Sequence, residues 1–155
     1  MRRAERAVTD TAALFDIIRR CRVARLGLCR EGVPYVVPMN FACEETDGRF
    51  VFYIHCANEG KKLDILRENA NVCVELDCGH ALVEGEKACS HSYRYASVIA
   101  QGQAEVLQSA EEKARALTLL MRWQTGWDIP VTPEQAAAVT VLRIAAQSIT
   151  GKQHL

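Results

Sequence analysis

The stretch His55-Cys56-Ala57-Asn58-Glu59-Gly60-Lys61-Lys62 decides how this sequence is best interpreted. It ends an alternating apolar segment typical of a strand, contains a glycine for a turn, and leads into a short helical pattern. A helix N-terminus presents unpaired N–H groups and the positive end of its dipole, which suits a phosphate. Adjacent lysines oppose that dipole unless an anion binds, and His55 adds another donor. A solvated lysine pair and a water-facing histidine remain equally compatible with these residues.

The chain before this stretch is predicted to form one helix and then antiparallel strands. Apolar residues recur at helical spacing between Thr11 and Cys21. The pattern then changes to period two, interrupted by the turn residues Glu31-Gly32 and Thr46-Asp47-Gly48. The pattern therefore predicts an antiparallel meander with strands Val23–Cys29, Pro34–Cys43 and Phe50–His55.

The chain after this stretch mixes helices and strands without regular alternation. Lys61 to about Glu68 is predicted to be helical, and Val72–Asp77 to be a strand. Cys78–Ser92 lacks clear periodicity and is predicted to be a long loop. The remaining predicted elements are a strand Tyr93–Gln108 with a bend or bulge at Gly102, a helix from the Ser109 capping box to Gly126, a brief helix after Thr132-Pro133-Glu134-Gln135, and a strand Val139–Ala145, with Thr150-Gly151-Lys152 ending the ordered chain.

These elements predict a mainly β fold with helical additions, a six-stranded antiparallel barrel formed by residues 1–155 as a single domain. Short, hairpin-like links between strands favour this architecture over a Rossmann sheet, which needs strands and helices in alternation. The sequence contains no G-x-G-x-x-G or P-loop motif, and no G-x-S-x-G nucleophile motif.

The overall charge argues against nucleic-acid or anionic-membrane partners. Lys plus Arg and Asp plus Glu number 19 each, so the formal net charge is zero and any basic site must be local. The N-terminus lacks the apolar stretch of a signal peptide, and no apolar run approaches the ~20 residues that span a bilayer. Seven cysteines, an odd count, indicate reduced thiols and a cytoplasmic location.

Two cysteine–histidine pairs in the predicted loop raise the question of a metal site. Cys78-Gly79-His80 and Cys89-Ser90-His91 supply four side chains, two thiols and two imidazoles, that zinc accepts, but neither pair has C-x-x-C spacing. We therefore expect free thiols and surface histidines, and no metal. His154 is expected to lie in a frayed C-terminal tail. Trp123 and Trp127 flank the end of a helix and are expected to serve packing or a subunit interface.

Several stretches, spread along nearly the whole chain, match one known family in their order and spacing, although no single motif is diagnostic. These stretches are Cys29-Arg30-Glu31-Gly32-Val33-Pro34-Tyr35-Val36-Val37-Pro38-Met39-Asn40-Phe41, His55 through Leu63, Asn69-Ala70-Asn71-Val72, Tyr95-Ala96-Ser97-Val98-Ile99 with Gly102, and Thr150-Gly151-Lys152. Through them the sequence resembles the nitroimidazole-resistance (Nim) branch of the pyridoxamine 5'-phosphate oxidase-like FMN-binding split-barrel family.

The resemblance implies a homodimer with two FMN sites at the subunit interface. By this resemblance Lys61 and Lys62 bind the cofactor phosphate, and His55 lies beside the phosphate or the ribityl chain. His55 is also a tentative catalytic residue, since a histidine can donate a hydrogen bond or a proton near pH 7.

The resemblance also implies which residues lie along the flavin ring. Met39, Ile54 and Val98 are each compatible with an ordinary core position as well, and Ser97 with an ordinary strand position. Asn40 is unfavourable in a strand by propensity, which favours a polar contact there. The implied set is Met39 and Asn40, largely through backbone groups, Tyr53 and Ile54 lining the same face, and Ser97 and Val98, which approach FMN from the partner subunit.

Two functions follow from the resemblance. The first is an FMN-dependent oxidoreductase that reduces a small electron-poor compound such as a nitroimidazole, with NAD(P)H or another donor reducing the flavin. The second is a non-catalytic or differently loaded binding protein, because related split barrels hold haem or F420, or only sense flavin.

Overall fold

The computed structural model describes residues 3–155, and its elements are mostly strands of one sheet. Short 3-10 turns at Ala4–Arg6 and Ala88–Ser90 accompany eight strands and four α-helices among these residues. In chain order the elements are β1 Ala7–Val8, α1 Thr11–Arg20, β2 Ala24–Arg30, β3 Val33–Met39, β4 Ala42–Thr46, β5 Arg49–Cys56, α2 Lys61–Glu68, β6 Asn71–Val83, β7 Ser92–Val106, α3 Ala110–Thr125, α4 Pro133–Ala136 and β8 Thr140–His154.

The strands form an antiparallel sheet in the order β3-β2-β6-β7-β8-β5-β4, with β1 added to β8. The long strands β6, β7 and β8 form its centre, and the hairpins β2–β3 and β4–β5 lie at opposite ends of the order. This arrangement confirms the predicted mainly β split-barrel class, but with eight strands rather than the predicted six.

Local sequence determines the turns and helix starts as predicted. Glu31 and Gly32, and likewise Asp47 and Gly48, adopt positive φ values of 51° and 79°, the backbone of a type I′ hairpin turn. The helices α1, α3 and α4 begin at capping side chains whose oxygens accept a backbone N–H three residues on: Asp10, Ser109 and Thr132. The predicted bounds of α2 are confirmed.

The predicted meander is wrong. Asn40 and Phe41 interrupt the segment predicted as one strand, Pro34–Cys43, which forms β3 and β4. These two strands pair with β2 and β5 respectively and not with each other. The corner contains neither glycine nor proline, so the alternation of the sequence continues through it without a visible break.

The predicted loop Cys78–Ser92 is wrong in its first part, Cys78–Val83, and right for most of residues 84–91. β6 continues to Val83, past a register shift between Cys78 and Ala81 where Gly79 takes a φ of 70°. The tail is also ordered: β8 extends to His154, whose Nδ1 lies 2.9 Å from the carbonyl oxygen of Tyr93. The predicted irregularity at Gly102 is confirmed, because the β7–β8 register shifts there.

The core lies inside the barrel, and α1 packs against it through Leu14, Ile17 and Ile18. A smaller cluster lies between the outer face of β5 and β8 and helix α3, where Tyr53, Leu107, Ala116 and Val141 are buried. Among the described residues, no helix is both long enough and apolar enough to cross a membrane.

Candidate functional site

Two strand edges near the β5–α2 junction are left without a neighbouring strand. β4 pairs with β5 only over Arg49–Tyr53, so Ile54–Cys56 bond to β8 on one side and, among the residues that the structure describes, have no strand on the other. β3 pairs with β2 along its whole length and, among residues 3–155, with no other strand. Open edges of this kind present backbone N–H and C=O groups to a ligand or another chain.

The two edges are connected at both ends. Asn40 and Phe41 join β3 directly to β4, the partner of β5. At the other end Lys61, the first residue of α2, holds its ammonium 4.6 Å from the centre of the Tyr35 ring on β3. The contact between Tyr35 and Lys61 is a long-range feature that no local sequence pattern predicts.

His55 carries an unexplained buried polar atom at this place. Its side chain is half-buried, and its Nδ1 is buried without a hydrogen-bond partner among the described residues. Such an atom costs on the order of 1–3 kcal/mol, so native proteins rarely leave one unpaired unless a ligand or water completes it.

The N-terminus of α2 is the second unsatisfied feature. Gly60 occupies the cap position with φ 136°, and no side chain caps the helix, unlike α1, α3 and α4. The first N–H groups of α2 are therefore free to bind an anion. The positive φ explains the glycine, because an L side chain is strained in that conformation.

The two lysines differ in their surroundings. Lys61 is exposed, whereas Lys62 is half-buried. Burial raises the pKa of the Cys56 thiol, and the positive charge of Lys62 partly offsets this rise. The Lys62 ammonium is therefore close to the end of β5. His55 near the end of β5 and Lys61 and Lys62 at the start of α2 thus lie at the same β5–α2 junction.

The ring-side residues are arranged differently from the prediction. Tyr53 and Ile54 were expected on the same face, but consecutive strand residues point to opposite sides. Tyr53 is buried beneath α3, where its hydroxyl donates to Glu44 at 3.0 Å and accepts from Arg115 at 3.3 Å. Ile54 is fully buried inside the barrel, so only its backbone remains at the open edge.

Three of the other four ring-side residues divide in the same way between core and surface. Val98 is fully buried, and Met39 packs partly buried against the core. Asn40 is exposed, and its side-chain amide donates to Gln124 Oε1 of α3 at 3.3 Å. The polar contact expected of Asn40 therefore exists, but within the chain it is made to α3.

Ser97 lies apart from the β5–α2 junction. It is on the outward face of β7, opposite Asp77 of β6 and Lys152 of β8. Because β8 lies between β7 and β5, one chain does not bring Ser97 to the residues that would hold the phosphate. Ile99, two residues along on the same face, is exposed.

The segment expected to supply cysteine–histidine pairs makes other contacts. His80 Nε2 lies 2.8 Å from Asp77, which also binds Arg25, and the His80 ring stacks on Tyr93. His91 Nδ1 lies 3.0 Å from the carbonyl oxygen of Lys87. Within residues 3–155, no three His, Cys, Asp or Glu side chains are grouped so that they could hold a metal ion.

Comparison with known proteins supports the same fold. The sequence profile of the family described as pyridoxamine 5'-phosphate oxidase matches residues 10–153. A candidate 5-nitroimidazole antibiotic resistance protein from Bacteroides thetaiotaomicron is 34% identical, with 95% of this chain and 86% of that one covered and a TM-score of 0.82. No protein with a curated description matches this chain.

More distant solved structures share the fold. The flavocytochrome Anf3 from Azotobacter vinelandii is 23% identical over 100% of this chain and 72% of its own, with a TM-score of 0.83. An FAD and heme binding protein from Mycobacterium smegmatis is 23% identical over 96% and 73%, with a TM-score of 0.77. The family match over residues 10–153 and the 34% identical protein establish that the chain belongs to the pyridoxamine 5'-phosphate oxidase-like family of split-barrel proteins.

Proposed function

We propose that this protein is an FMN-binding flavoprotein whose cofactor phosphate binds at the β5–α2 junction. The observation that carries the proposal is the pairing of an uncapped helix N-terminus, bearing Lys61 and Lys62, with the orphaned Nδ1 of His55 immediately before it. A phosphate would neutralise the lysines, accept from the free N–H groups and give the imidazole a partner.

The open edges of β3 and β5 would then hold the isoalloxazine ring. Met39 and Asn40 contribute mainly backbone groups there, as does Ile54. On the opposite face of β5, the Tyr53 hydroxyl holds the strand in place through its hydrogen bonds with Glu44 and Arg115. A planar ligand suits this arrangement because the open strand edges present a row of backbone N–H and C=O groups. The side chains of the barrel core would exclude water from the inner side of the ligand.

The proposal includes a homodimer formed through the outward face of β2, β3, β6 and β7. Val36 and Ile99 are 61% and 45% exposed on this face, next to a groove of about 520 Å³. A second copy covering it would bury this apolar surface and carry Ser97 and Val98 toward the other chain's cofactor.

The activity that fits best is that of a cytoplasmic oxidoreductase acting on a small electron-poor compound, nitroimidazoles being the first candidates because of the 34% identical relative. Bound FMN supplies the electron transfer, and the protein supplies binding and orientation. His55 is the residue of this chain placed to donate a hydrogen bond or a proton at the site. NAD(P)H is the proposed electron donor.

The first experiment is an absorption spectrum of the purified protein, followed by anaerobic addition of NADH or NADPH and then of a nitroimidazole. Bound-flavin absorption that bleaches with the nicotinamide and returns with the nitro compound is expected. A colourless protein that does not take up FMN would contradict the proposal. A haem spectrum would favour the alternative loading, since the two more distant relatives are a flavocytochrome and an FAD and heme binding protein.

A second experiment tests the phosphate site itself. The double variant Lys61→Ala, Lys62→Ala should weaken FMN binding far more than riboflavin binding, because each charge-assisted contact to phosphate contributes roughly 1.5–3 kcal/mol. The exposed Lys87, which lies in the β6–β7 connection, provides the control variant Lys87→Ala. Equal losses for FMN and riboflavin would mean that the lysine pair does not contact phosphate.

A further inference from the structure

A second cleft lies where α1, β4 and α3 meet. It encloses about 600 Å³, and none of the residues proposed to bind FMN lines it. Phe15 of α1 and Trp123 of α3 line it side by side, with ring centres 5.9 Å apart. Arg19, Arg22 and Arg122 also line it, and we call it the arginine cleft.

The charges around the arginine cleft are unbalanced. All three arginines are exposed, and within residues 3–155 none of their side chains makes an ion pair or hydrogen bond. The two acidic residues of the cleft are engaged elsewhere: Glu44 accepts from Arg115 at 2.5 Å, and Glu45 accepts from the Gly48 N–H at 2.7 Å. Three guanidinium groups therefore remain available to an anion.

The cleft is built on fixed elements. The Gln124 side-chain amide donates to the carbonyl oxygen of Phe41 at 2.7 Å and to that of Arg22 at 3.4 Å, tying α3 to β4 and to the end of α1. The Trp123 ring packs on Phe41 with 5.8 Å between centres. A preformed site of this kind loses little conformational entropy when a ligand binds.

A helix dipole explains part of this arrangement. Arg19 and Arg122 lie in the last turns of α1 and α3, where a cation is favoured whether or not a ligand binds. That effect acts on each helix separately. It gives no reason for Arg22, beyond the end of α1, to line the same cleft, nor for the cleft to have an aromatic wall.

We propose that the arginine cleft binds a small organic anion that combines a flat ring with at least one phosphate group, such as a nucleoside phosphate. The planar guanidinium forks of the arginines match phosphate oxygens with paired hydrogen bonds, and the exposed part of the Trp123 ring offers a stacking surface. The inference does not depend on the proposed flavin chemistry, because the cleft and the β5–α2 junction share no lining residue.

The test uses ADP as the probe and the purified protein carrying Trp127→Phe, whether or not FMN is bound. Trp127 and Trp123 are the two tryptophans, and Trp127 is 72% exposed, so the substitution leaves Trp123 as the reporter. ADP should change Trp123 fluorescence saturably. The double variant Arg22→Ala, Arg122→Ala should weaken ADP binding about tenfold or more and leave the amount of bound FMN unchanged. Arg94→Ala, an exposed arginine on β7, is the control and should leave ADP affinity as it was.

Three outcomes would overturn the proposal. One is no saturable change with ADP, and another is equal ADP affinity in the protein with and without the two arginine substitutions. The third is binding that is lost in Lys61→Ala, Lys62→Ala instead, which would place ADP at the flavin phosphate site. Adenosine and inorganic phosphate, titrated separately, should each bind much more weakly than ADP. Equal affinity for adenosine would remove the role of the arginines.

Discussion

His55 is the residue at which the proposed cofactor and the stability of the protein are most directly linked. Its buried Nδ1 lacks a hydrogen-bond partner within residues 3–155. We expect His55→Phe, which keeps a ring and removes the orphaned atom, to stabilise the flavin-free protein by about 1 kcal/mol. The same change should weaken FMN binding.

Thermal unfolding of flavin-free and FMN-loaded protein, each with and without the substitution, measures both effects. Opposite signs in the two states are expected. If His55→Phe destabilises the flavin-free protein and leaves FMN affinity unchanged, His55 is a packing residue and its ring nitrogen does not serve the cofactor.

Two buried thiols should make the protein sensitive to alkaline pH. Burial raises the pKa of Cys21 from 9.0 to about 12, with Cys78 adding to the rise, and burial also raises the pKa of Cys43. In the unfolded chain these thiols ionise near pH 9, whereas the folded state retains their protons. Their contribution to stability is therefore complete below pH 9 and decreases as the pH rises toward 12, by about 1.4 kcal/mol per pH unit for each thiol.

Urea unfolding between pH 8 and 10.5 checks this expectation. The double variant Cys21→Ala, Cys43→Ala is less stable at pH 8 because it leaves small cavities, but its stability should fall less steeply with pH. Parallel curves for the wild type and the variant would mean that other groups cause the alkaline loss.

Individual site residues could be predicted only where local chemistry is unusual. The Lys61–Lys62 pair after Gly60 conflicts with a helix dipole, so the proposal of an anion site follows from the sequence alone. The side-chain partners of Tyr53 and Asn40 were not, because Arg115 and Gln124 are contributed by α3, far along the chain.

Among the elements, the helices and hairpins whose ends carry helix-capping or turn-forming residues were predictable. The capped helices and the two hairpin turns carry Asp, Ser, Thr or Gly at the positions that their geometry needs. The second half of β6 was missed because both of its faces are largely exposed beyond Cys78, so burial imposes no alternation on the sequence.

The C-terminal residues belong to the last strand and contribute to the stability of the sheet. Thr150–His154 of β8 pair with Tyr95–Ile99 of β7, and Gly151 and Lys152 also pair with β1. We expect deletion of residues 150–155 to lower the melting temperature by at least about 5 °C, since it exposes the edges of β7 and β1. Deletion of Leu155 alone, a residue 78% exposed and outside the strand, is the control and should have little effect. Equal melting temperatures would restore the expectation of a frayed tail.

At the scale of the whole molecule, the strand order was beyond sequence reasoning. Placing β8 between β7 and β5 depends on pairings such as Glu105 with Arg143 and Tyr53 with Arg143, which join residues far apart in the chain. Alternation specifies which face of a strand is buried, and it does not specify which strand lies beside it. The strand and turn pattern predicted an antiparallel barrel, the family resemblance identified it as the split-barrel type, and the structure supplied its eight-stranded order.

The same strand order bears on the proposed dimer. Because Ser97 is two strands away from β5 within one chain, its proposed contact with FMN requires a second chain. Ile99→Asp introduces a charge two residues from Ser97 on the outward face, where burial in an interface would be costly. We expect this variant to become monomeric and to lose FMN together with the dimer.

Ile129→Asp is the matched control, because Ile129 is 43% exposed and Ile99 is 45% exposed, yet Ile129 lies in the α3–α4 connection. Light scattering with in-line flavin absorbance measures both quantities at once. An Ile99→Asp monomer that still holds FMN would mean that one chain completes the site, and Ser97 would then have no part in it. A monomeric, flavin-free Ile129→Asp would instead move the interface to the α3 side of the barrel, next to the arginine cleft.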